Sequence, residues 1–345
     1  MTEDRQSAQP FPSPEYPPVS VILITKGNHE RAGCAIDSVL KGEYPSDKRE
    51  IIVIEETDAP APFNQAEGRY IAIPVKNRGF AYARNLGIAQ ASHPLCAFLD
   101  DDCTARTNWL GELVRTIQNN PGAAAVGGAV LVPECGPIGQ CENILGFPGG
   151  GIKYVHEACG KVVTRQTFST CNALVQKQSL LNAGGFNKRC TLGNEDEMLA
   201  RLLGRFHTIL YNPHAVVYHA PRDSWTKVFR WFVRRGIAKQ AVTGLSPTAN
   251  KETALLLKNS PLLRATAIFL LLLLFCIPIL PAFLLLGALY YAAVLWRFRW
   301  SRIYYPALRT FLHIPFVKLT MDIGYDLGLL TALLYRRHRR VRKHD

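Results

Sequence analysis

Short apolar runs alternate with helical patterns over the first third of the chain. Residues 19–25 are almost all apolar, which is typical of a strand buried on both faces of a sheet. Three similar runs predict further strands, and apolar residues spaced three and four apart predict helices. These strands are expected at 51–54, 70–75 and 95–99, and the helices at 32–40, 80–91 and 109–117. Strands that alternate with helices predict an α/β fold with a mostly parallel sheet.

The pattern becomes irregular further along the chain. Residues 133–165 are rich in glycine, proline and cysteine, and predict an excursion without regular structure. Regular structure is expected to resume near Ser169. A helix is predicted over 195–206, followed by strand material over 207–219.

One long segment, 265–296, contains no charged residue and is longer than the ~20 residues that span a bilayer. A buried core helix is the alternative, but the segment has no polar face. Pro278 and Pro281 divide it into two arms of roughly 13–15 residues. Since basic residues flank both ends and cytosolic loops carry such residues, a hairpin fits better than one kinked span. The short arms predict a shallow or re-entrant hairpin.

A third apolar stretch, 303–335, carries charged residues among its apolar ones. Lys318, Asp322 and Asp326 lie four apart, so they share one helical face and can pair. We therefore expect an amphipathic or re-entrant membrane helix, or a helix packed against the hairpin. The basic tail that follows would lie on anionic headgroups.

The net charge of +13 comes from the flanks of the apolar segment. Residues 222–264 hold nine basic and two acidic residues, and residues 297–345 hold eleven and three, whereas residues 1–221 have a net charge of −2. This distribution indicates a membrane surface rather than nucleic acid. The nine cysteines form no CxxC pair, and the N-terminus lacks a signal-peptide pattern, so a reducing, cytosolic environment is predicted.

Three consecutive carboxylates follow the strand predicted at 95–99. Ligands bind at the carboxyl ends of strands in an open α/β sheet, and Asp100, Asp101 and Asp102 would repel one another there without a cation. Their oxygens suit Mg²⁺ or a similar hard ion shared with a diphosphate. The alternative is an N-cap for the helix that follows, for which one carboxylate is enough.

Two acidic residues, Glu195 and Asp196, open the next predicted helix. They could compensate the helix dipole, or one could act as a general base near a diphosphate. His219 ends a predicted strand, where it could be structural or complete a metal shell.

Together, and in this order, these motifs resemble the family 2 glycosyltransferases of GT-A fold over residues ~19–240. The segments that carry the resemblance are 19–25, Glu50-Ile-Ile-Val-Ile-Glu55-Glu56-Thr-Asp58, Asn77-Arg-Gly-Phe-Ala-Tyr-Ala-Arg84-Asn85-Leu-Gly87, Phe98-Leu-Asp100-Asp101-Asp102, Gly184-Gly-Phe186, Gly193-Asn-Glu195-Asp196 and His219. The C-terminal hairpin and the Gly324-Tyr-Asp-Leu-Gly328 element are similar to membrane-associated bacterial members that build polysaccharides.

The resemblance implies a role for each matching residue. Donor binding is assigned to Thr25, Glu55, Arg84, Asp100 and Asp101, metal binding to Asp102 and His219, and catalysis to the base Asp196 with Glu195 beside it. Glutamates replace the usual aspartates at Glu55 and Glu56, and the basic Arg234-Arg235 pair lies where related chains approach donor or acceptor. The implied cofactor is Mg²⁺ or Mn²⁺, and the implied donor is a UDP-, GDP- or dTDP-sugar.

The Gln-x-x-Arg-Trp motif of processive synthases is absent, since Thr226-Lys-Val-Phe-Arg230-Trp231 has no glutamine, so single-sugar transfer is expected. A single base suits inversion, and the membrane elements suggest a lipid-linked glycan acceptor at the inner membrane, with the catalytic domain in the cytosol. A polyprenyl-phosphate acceptor or a catalytically silent membrane scaffold are the alternatives. The predicted organisation is a flexible lead (1–18), the GT-A domain (19–240), a basic linker or interfacial helix (241–264), the hairpin (265–296), the membrane helix (303–335) and a basic tail (336–345).

Overall fold

The computed structural model of the protein describes residues 16–58, 69–73, 79–243, 260–274 and 279–341. The strands are β1 (Val19–Thr25), β2 (Arg49–Glu56), β3 (Arg69–Ile73), β4 (Leu95–Asp100), β5 (Cys103–Ala105), β6 (Ala123–Leu131), β7 (Val163–Thr164), β8 (Asn172–Gln176) and β9 (Thr208–His219). The helices are α1 (His29–Leu40), α2 (Phe80–Gln90), α3 (Trp109–Gln118), α4 (Pro137–Ile144), α5 (Gly151–Ala158), α6 (Lys177–Asn182), α7 (Glu195–Leu203), α8 (Trp225–Thr243), α9 (Pro261–Leu274), α10 (Ile279–Arg297) and α11 (Leu308–Val341).

The strands form one mixed sheet in the order β3-β2-β1-β4-β8-β6-β9-β5, and β7 pairs with β9. Strands β3, β2, β1 and β4 run parallel, as predicted, while β8 is antiparallel to both β4 and β6. The predicted α/β fold with a mostly parallel sheet is therefore confirmed.

The sheet has a buried layer on each face, which explains the continuous apolar runs of its central strands. Along β1, Val19, Val21 and Leu23 join one apolar cluster, and Ile22 and Ile24 join the other. Helices α1 and α3 cover the first face, and α2 and α7 cover the second. Both layers hold the ends of β1 and β4 in place, where the candidate site lies.

The prediction of an irregular excursion over 133–165 is wrong, because this segment contains α4 and α5. The turn between them carries Gly149, Gly150 and Gly151, with φ of +55°, +97° and +52°. Residues that have a Cβ atom rarely adopt this left-handed backbone conformation, so glycine is needed there. The glycines that suggested a loop therefore build a tight turn between two short helices.

Helix α8 lies unusually close to α11. A Cβ added at Gly236 of α8 would come within 2.1 Å of the carbonyl oxygen of Tyr325, and one added at Gly328 of α11 within 2.1 Å of the carbonyl oxygen of Val233. Such distances are far below van der Waals contact, so the two backbones approach only because both positions lack a side chain. The Gly324–Gly328 pair of the sequence thus serves helix packing.

The apolar segment forms helices α9 and α10, which touch through Phe269 and Phe283, with ring centroids 6.5 Å apart. Within the described residues, one helix is long and apolar enough to cross a membrane, over Leu280–Arg297. Its large side chains are mostly exposed. Helix α11 adds an exposed apolar stripe of Leu308, Leu312, Phe316, Leu319, Ile323, Leu327, Leu330 and Leu334.

Helix α11 also carries the predicted row of charged residues. Lys318 pairs with Asp322 at 2.6 Å, as the spacing predicts, whereas Asp326 accepts a hydrogen bond from Ser260 at 2.7 Å. The predicted turn at Pro278, most of the lead (1–15), most of the linker (244–259) and the end of the basic tail (342–345) lie outside the described residues.

Candidate active site

A cleft of about 400 Å³ opens at the carboxyl ends of β1, β2 and β4. Helices α2, α7 and α8 and the turn before α5 supply its other walls. Ligands of open α/β sheets bind at this edge. The cleft brings together eight of the nine predicted site residues: Thr25, Arg84, Asp100, Asp101, Asp102, Glu195, Asp196 and His219.

The three consecutive aspartates have different partners. Asp100 accepts a hydrogen bond from Arg84 at 2.8 Å, and Asp101 accepts one from the hydroxyl of Thr25 at 2.7 Å. Burial raises the pKa of Asp101, and the charges of its two neighbours raise it further, although Thr25 opposes the shift. Two of the three carboxylates are thus held by the protein, while Asp102 turns toward His219.

Asp102 and His219 are the residues best placed to hold a cation. A carboxylate oxygen of Asp102 lies 3.3 Å from Nε2 of His219. The other ring nitrogen, Nδ1, lies 2.7 Å from the carbonyl oxygen of Ala220, and a donated proton there leaves Nε2 free to ligate. The alternative of a helix cap is wrong, because Asn108 is the N-cap residue of α3. The donor set fits a divalent metal ion.

Arg84 connects the aspartates to α7. Its guanidinium donates to Asp100 and also to Glu195, while Phe80 and Phe186 lie 5.7 and 5.9 Å from it. Only 4% of Arg84 is exposed. A charge buried this deeply must be paired, so Arg84 fixes the two carboxylates relative to each other as well as lining the cleft.

The two acidic residues at the start of α7 differ in their surroundings. Burial raises the pKa of Glu195 to about 7, although the charge of Arg84 opposes this shift. Burial also raises the pKa of Asp196, whose carboxylate accepts a hydrogen bond from the backbone N–H of Glu197. Asn194, with φ of +64°, forms the turn that points this end of the helix into the cleft.

Asp196 also borders a second cavity, of about 370 Å³. Lys153 and Tyr154 of α5 line this cavity, together with glycines of β6. The residues shared by the cleft and the second cavity are Gly149, Ser169, Asn194, Asp196 and Arg235. Glu195 lines the cleft but not this cavity. A carboxylate at the junction can reach molecules bound on both sides, which is the position required of a base between donor and acceptor.

Glu55 is the predicted site residue that the structure does not place in the cleft. It is fully buried, lies 2.5 Å from Nε2 of His29 and accepts a hydrogen bond from the hydroxyl of Tyr70. The next residue, Glu56, lines the cleft instead. Because successive side chains of a strand point in opposite directions, only one of the pair can face the cleft.

Comparisons with known proteins agree with this geometry. The model of the family described as "Glycosyl transferase family 2" matches residues 20–139. Glycosyltransferase AglE of Haloferax volcanii is 33% identical over 213 residues, which cover 60% of this chain and 68% of that protein. The chain belongs to glycosyl transferase family 2. It is a glycosyltransferase of the kind that uses nucleotide-sugar donors.

Two further similarities extend along most of this glycosyltransferase. The glucosyl-dolichyl phosphate glucuronosyltransferase of Haloferax volcanii is 27% identical over 267 residues, which cover 70% of this chain and 82% of that protein. The structure of mannosyltransferase PcManGT from Pyrobaculum calidifontis, in complex with GDP-Man and Mn²⁺, has a TM-score of 0.54 and 18% identity, and covers 90% of this chain and 87% of that one. The structural likeness supports the GT-A fold.

The glycosyltransferase carries two arginines on α8 that face the cleft. Arg234 lies 5.3 Å from the ring of Phe80, and Arg235 lies 4.9 Å from Phe147 and 5.3 Å from Trp231. Stacking on aromatic rings holds a guanidinium in place while leaving its N–H groups free to bind anions. The predicted basic pair therefore lies at the cleft, and Arg235 reaches the second cavity as well.

Sequence reasoning did not identify Lys153 and Tyr154 as residues that line a cavity beside Asp196. Both lie on α5, within the segment predicted to be irregular, and they reach Asp196 only through the shared cavity. No local motif marks them. The helical spacing of Ile152 and Val155, both packed in the core, was the available signal for α5.

Proposed function

We propose that this glycosyltransferase moves a single sugar, with inversion, from a nucleoside diphosphate donor to a lipid-linked glycan at the membrane. The observation that carries the proposal is the position of Asp196 between two cavities. The cleft suits the donor, since it contains the aspartates and the arginines. The second cavity suits the acceptor, since it adjoins the same carboxylate.

The reaction that we propose is a single displacement. An acceptor hydroxyl in the second cavity gives its proton to Asp196 and attacks the anomeric carbon, and the bond to the nucleoside diphosphate breaks. The acceptor attacks the anomeric carbon directly, and no carboxylate first forms a bond to the sugar. The configuration at the anomeric carbon is therefore inverted. A divalent metal ion, bound by Asp102 and His219, would stabilise the negative charge of the leaving diphosphate. Arg234 and Arg235 would add to this stabilisation from α8.

A lipid-linked acceptor is supported by the surroundings of the second cavity. Helix α5 lines the cavity with Lys153 and Tyr154, and on the same helix His156 stacks on Trp300 with ring centroids 4.2 Å apart. Trp300 lies in the short 3₁₀ helix that directly follows the apolar helix α10. A sugar in this cavity would therefore be near the part of the chain that can enter a membrane.

The similar Haloferax glucuronosyltransferase supports the same acceptor class. Its name describes a sugar already attached to dolichyl phosphate as the acceptor. Such an acceptor attacks through a hydroxyl and needs a base. Polyprenyl phosphate itself is already an anion and needs none, so the intact Asp196 favours a lipid-linked sugar over the bare lipid phosphate.

Purified full-length enzyme in detergent, supplied with Mn²⁺, would test the activity. A panel of UDP-, GDP- and dTDP-sugars is offered with polyprenyl-phosphate-linked monosaccharide, with polyprenyl phosphate, or with no acceptor. We expect transfer to the lipid-linked sugar, with inverted stereochemistry at the new bond. Transfer to polyprenyl phosphate alone would favour the alternative acceptor. No transfer from any donor would favour a silent scaffold.

We also propose that the catalytic domain faces the cytosol at the inner membrane, with α9 and α10 as a hairpin. Natural Cys34 is exposed on α1, and Arg299 is an exposed position between α10 and α11. One variant would keep Cys34 as its single cysteine, and a second would have Arg299→Cys as its single cysteine. Cells that carry each variant would be treated with an impermeant maleimide. We expect labelling only after the cells are permeabilised. Labelling of either cysteine on intact cells would contradict this topology.

A further inference from the structure

Two buried thiols lie directly beside the proposed metal ligands. Among the residues that the structure describes, Cys103, Cys171 and His219 form the one group of three potential ligands whose donor atoms all lie within 4.8 Å of one another. Their exposed fractions are 1%, 8% and 5%. Cysteine spacing in the sequence matches no common zinc pattern and does not mark this group.

The backbone holds these ligands rigidly. Cys103 begins β5 and is the direct cross-strand partner of His219, the last residue of β9. Cys171 precedes β8 and is fixed by a bridge between Ser169 and Asn172. The sulfur of Cys171 also accepts a hydrogen bond from the hydroxyl of Ser169 at 3.2 Å. Ligands on paired strands need little ordering when an ion binds, which favours a preformed site.

A fourth ligand is within reach of this group. The Asp102 carboxylate oxygen that lies 3.3 Å from Nε2 of His219 is also 3.9 Å from the sulfur of Cys103. In a tetrahedral zinc site, bonds of about 2.0–2.3 Å place neighbouring ligand atoms roughly 3.3–3.8 Å apart. The ligand atoms of Cys103, Cys171 and His219 lie within 4.8 Å of one another, so they need to approach by about 1 Å to surround one ion. Asp102 would complete the site from its position beside His219 and Cys103.

We propose that Cys103, Cys171, His219 and Asp102 form a second site, for a thiophilic divalent ion such as Zn²⁺, that excludes the catalytic cation. Thiolates prefer zinc, whereas Mg²⁺ and Mn²⁺ prefer oxygen ligands. The two sites share Asp102 and His219, so they cannot be filled together. Each thiol gives its proton to solvent when it binds. Bound zinc would thus occupy Asp102 and His219, so the glycosyltransferase could not bind its catalytic metal ion.

Cobalt absorption tests the site without any need for sugar transfer. Full-length enzyme in a non-thiol reductant would be titrated with Co²⁺, which gives thiolate charge-transfer bands when cysteines bind it. We expect such bands at one equivalent of Co²⁺, displaced by Zn²⁺. They should be lost in Cys103→Ala and Cys171→Ala, and kept in Cys96→Ala, a buried thiol at the opposite end of β4. Absence of the bands in the native enzyme, or their persistence in both variants, would overturn the proposal.

Zinc inhibition provides a second measurement. With Mn²⁺ present, the zinc concentration that halves the rate is expected to rise at least about 10-fold in Cys171→Ser, relative to that variant's own rate with Mn²⁺ alone. Cys96→Ser should match the native enzyme. Equal zinc sensitivity in all three proteins would show that the thiols do not bind the inhibitory ion. Since the cobalt spectra do not depend on turnover, failure of the transfer assay leaves this proposal separately testable.

Discussion

Arg84 donates a 2.8 Å hydrogen bond to Asp100, and the same side chain ties the end of a central strand to the start of α7. The same guanidinium donates to Glu195 on α7. A planar group with several fixed N–H donors can bridge two carboxylates in this way, whereas a lysine ammonium acts as a single point of charge. The arginine thus sets the distance between the end of β4 and the start of α7, where the proposed base lies.

Arg84→Met is expected to destabilise the fold strongly. It would leave the buried Glu195 without its cation, and breaking a buried ion pair costs roughly 3–5 kcal/mol. Urea unfolding in detergent would measure the loss. Arg234→Met, an exposed arginine of the same cleft, is the matched control and should unfold like the native enzyme. An Arg84→Met protein of native stability would show that the bridge contributes little.

Asp196→Asn should separate binding from chemistry. The amide keeps the shape of the side chain but cannot accept the acceptor's proton, so we expect turnover to fall by ~10²-fold or more. Donor affinity, measured by calorimetry with the nucleotide sugar, should stay close to that of the native enzyme. An active Asp196→Asn enzyme would remove this residue from the role of base.

The raised pKa of Asp196 predicts the acidic side of the pH profile. The base must be ionised, so kcat should fall as the pH drops through a pKa above the ordinary aspartate value of about 3.9. Arg235 lowers this pKa. Arg235→Gln should therefore raise it and move the acidic limb to higher pH, measured with saturating donor and acceptor. Lys239→Gln, whose ammonium pairs with Glu197, serves as the control; a limb that moves equally in both variants would contradict this assignment.

Removal of one metal ligand should abolish metal-dependent donor binding. Asp102→Ala takes away the carboxylate nearest His219, so calorimetry with a nucleoside diphosphate is expected to show no difference between Mn²⁺ and EDTA. The native enzyme should bind much more tightly with Mn²⁺. Asp37→Ala, an exposed acidic residue of α1, is the control. If the native enzyme binds its donor equally well in EDTA, the proposed metal site is wrong.

Gly328→Ala should destabilise the contact between α8 and α11. The new methyl group would press on the carbonyl of Val233, and such overpacking costs about 1–3 kcal/mol. Thermal unfolding in detergent would detect the change. Gly287→Ala is the control, because nothing lies within 4 Å of a Cβ at that position of α10. A Gly328→Ala protein as stable as the control would show that the helices separate without cost.

The sequence predicted the parallel half of the sheet well, because β1, β2 and β4 are continuous apolar runs of strand length. Strand β6 went unrecognised, since it is built of alanine, glycine and valine, and the first two are poor strand formers. Its composition reflects tertiary packing: a Cβ at Gly128 would lie 2.3 Å from the carbonyl oxygen of Ala215. That neighbour is far away in sequence, so no local pattern could reveal the requirement.

The candidate site, like the sheet, could be predicted from the sequence only in part. The aspartates and the acidic pair of α7 lie at element ends that the pattern predicts, so their meeting in one cleft could be anticipated. The second cavity could not be predicted, because it depends on how α5 packs beside β6. Likewise, Cys103 and Cys171 are far apart in the sequence, and local periodicity does not predict that they approach each other.

The close packing of α8 on α11 makes the C-terminal helices hard to dispense with. Proteins with exposed apolar helices are often trimmed to obtain a form that dissolves without detergent. A chain ended before Leu308 would lose the surface on which Gly236 rests, and α8 carries the arginines that face the cleft. Trimming would therefore leave one wall of the cleft without its support.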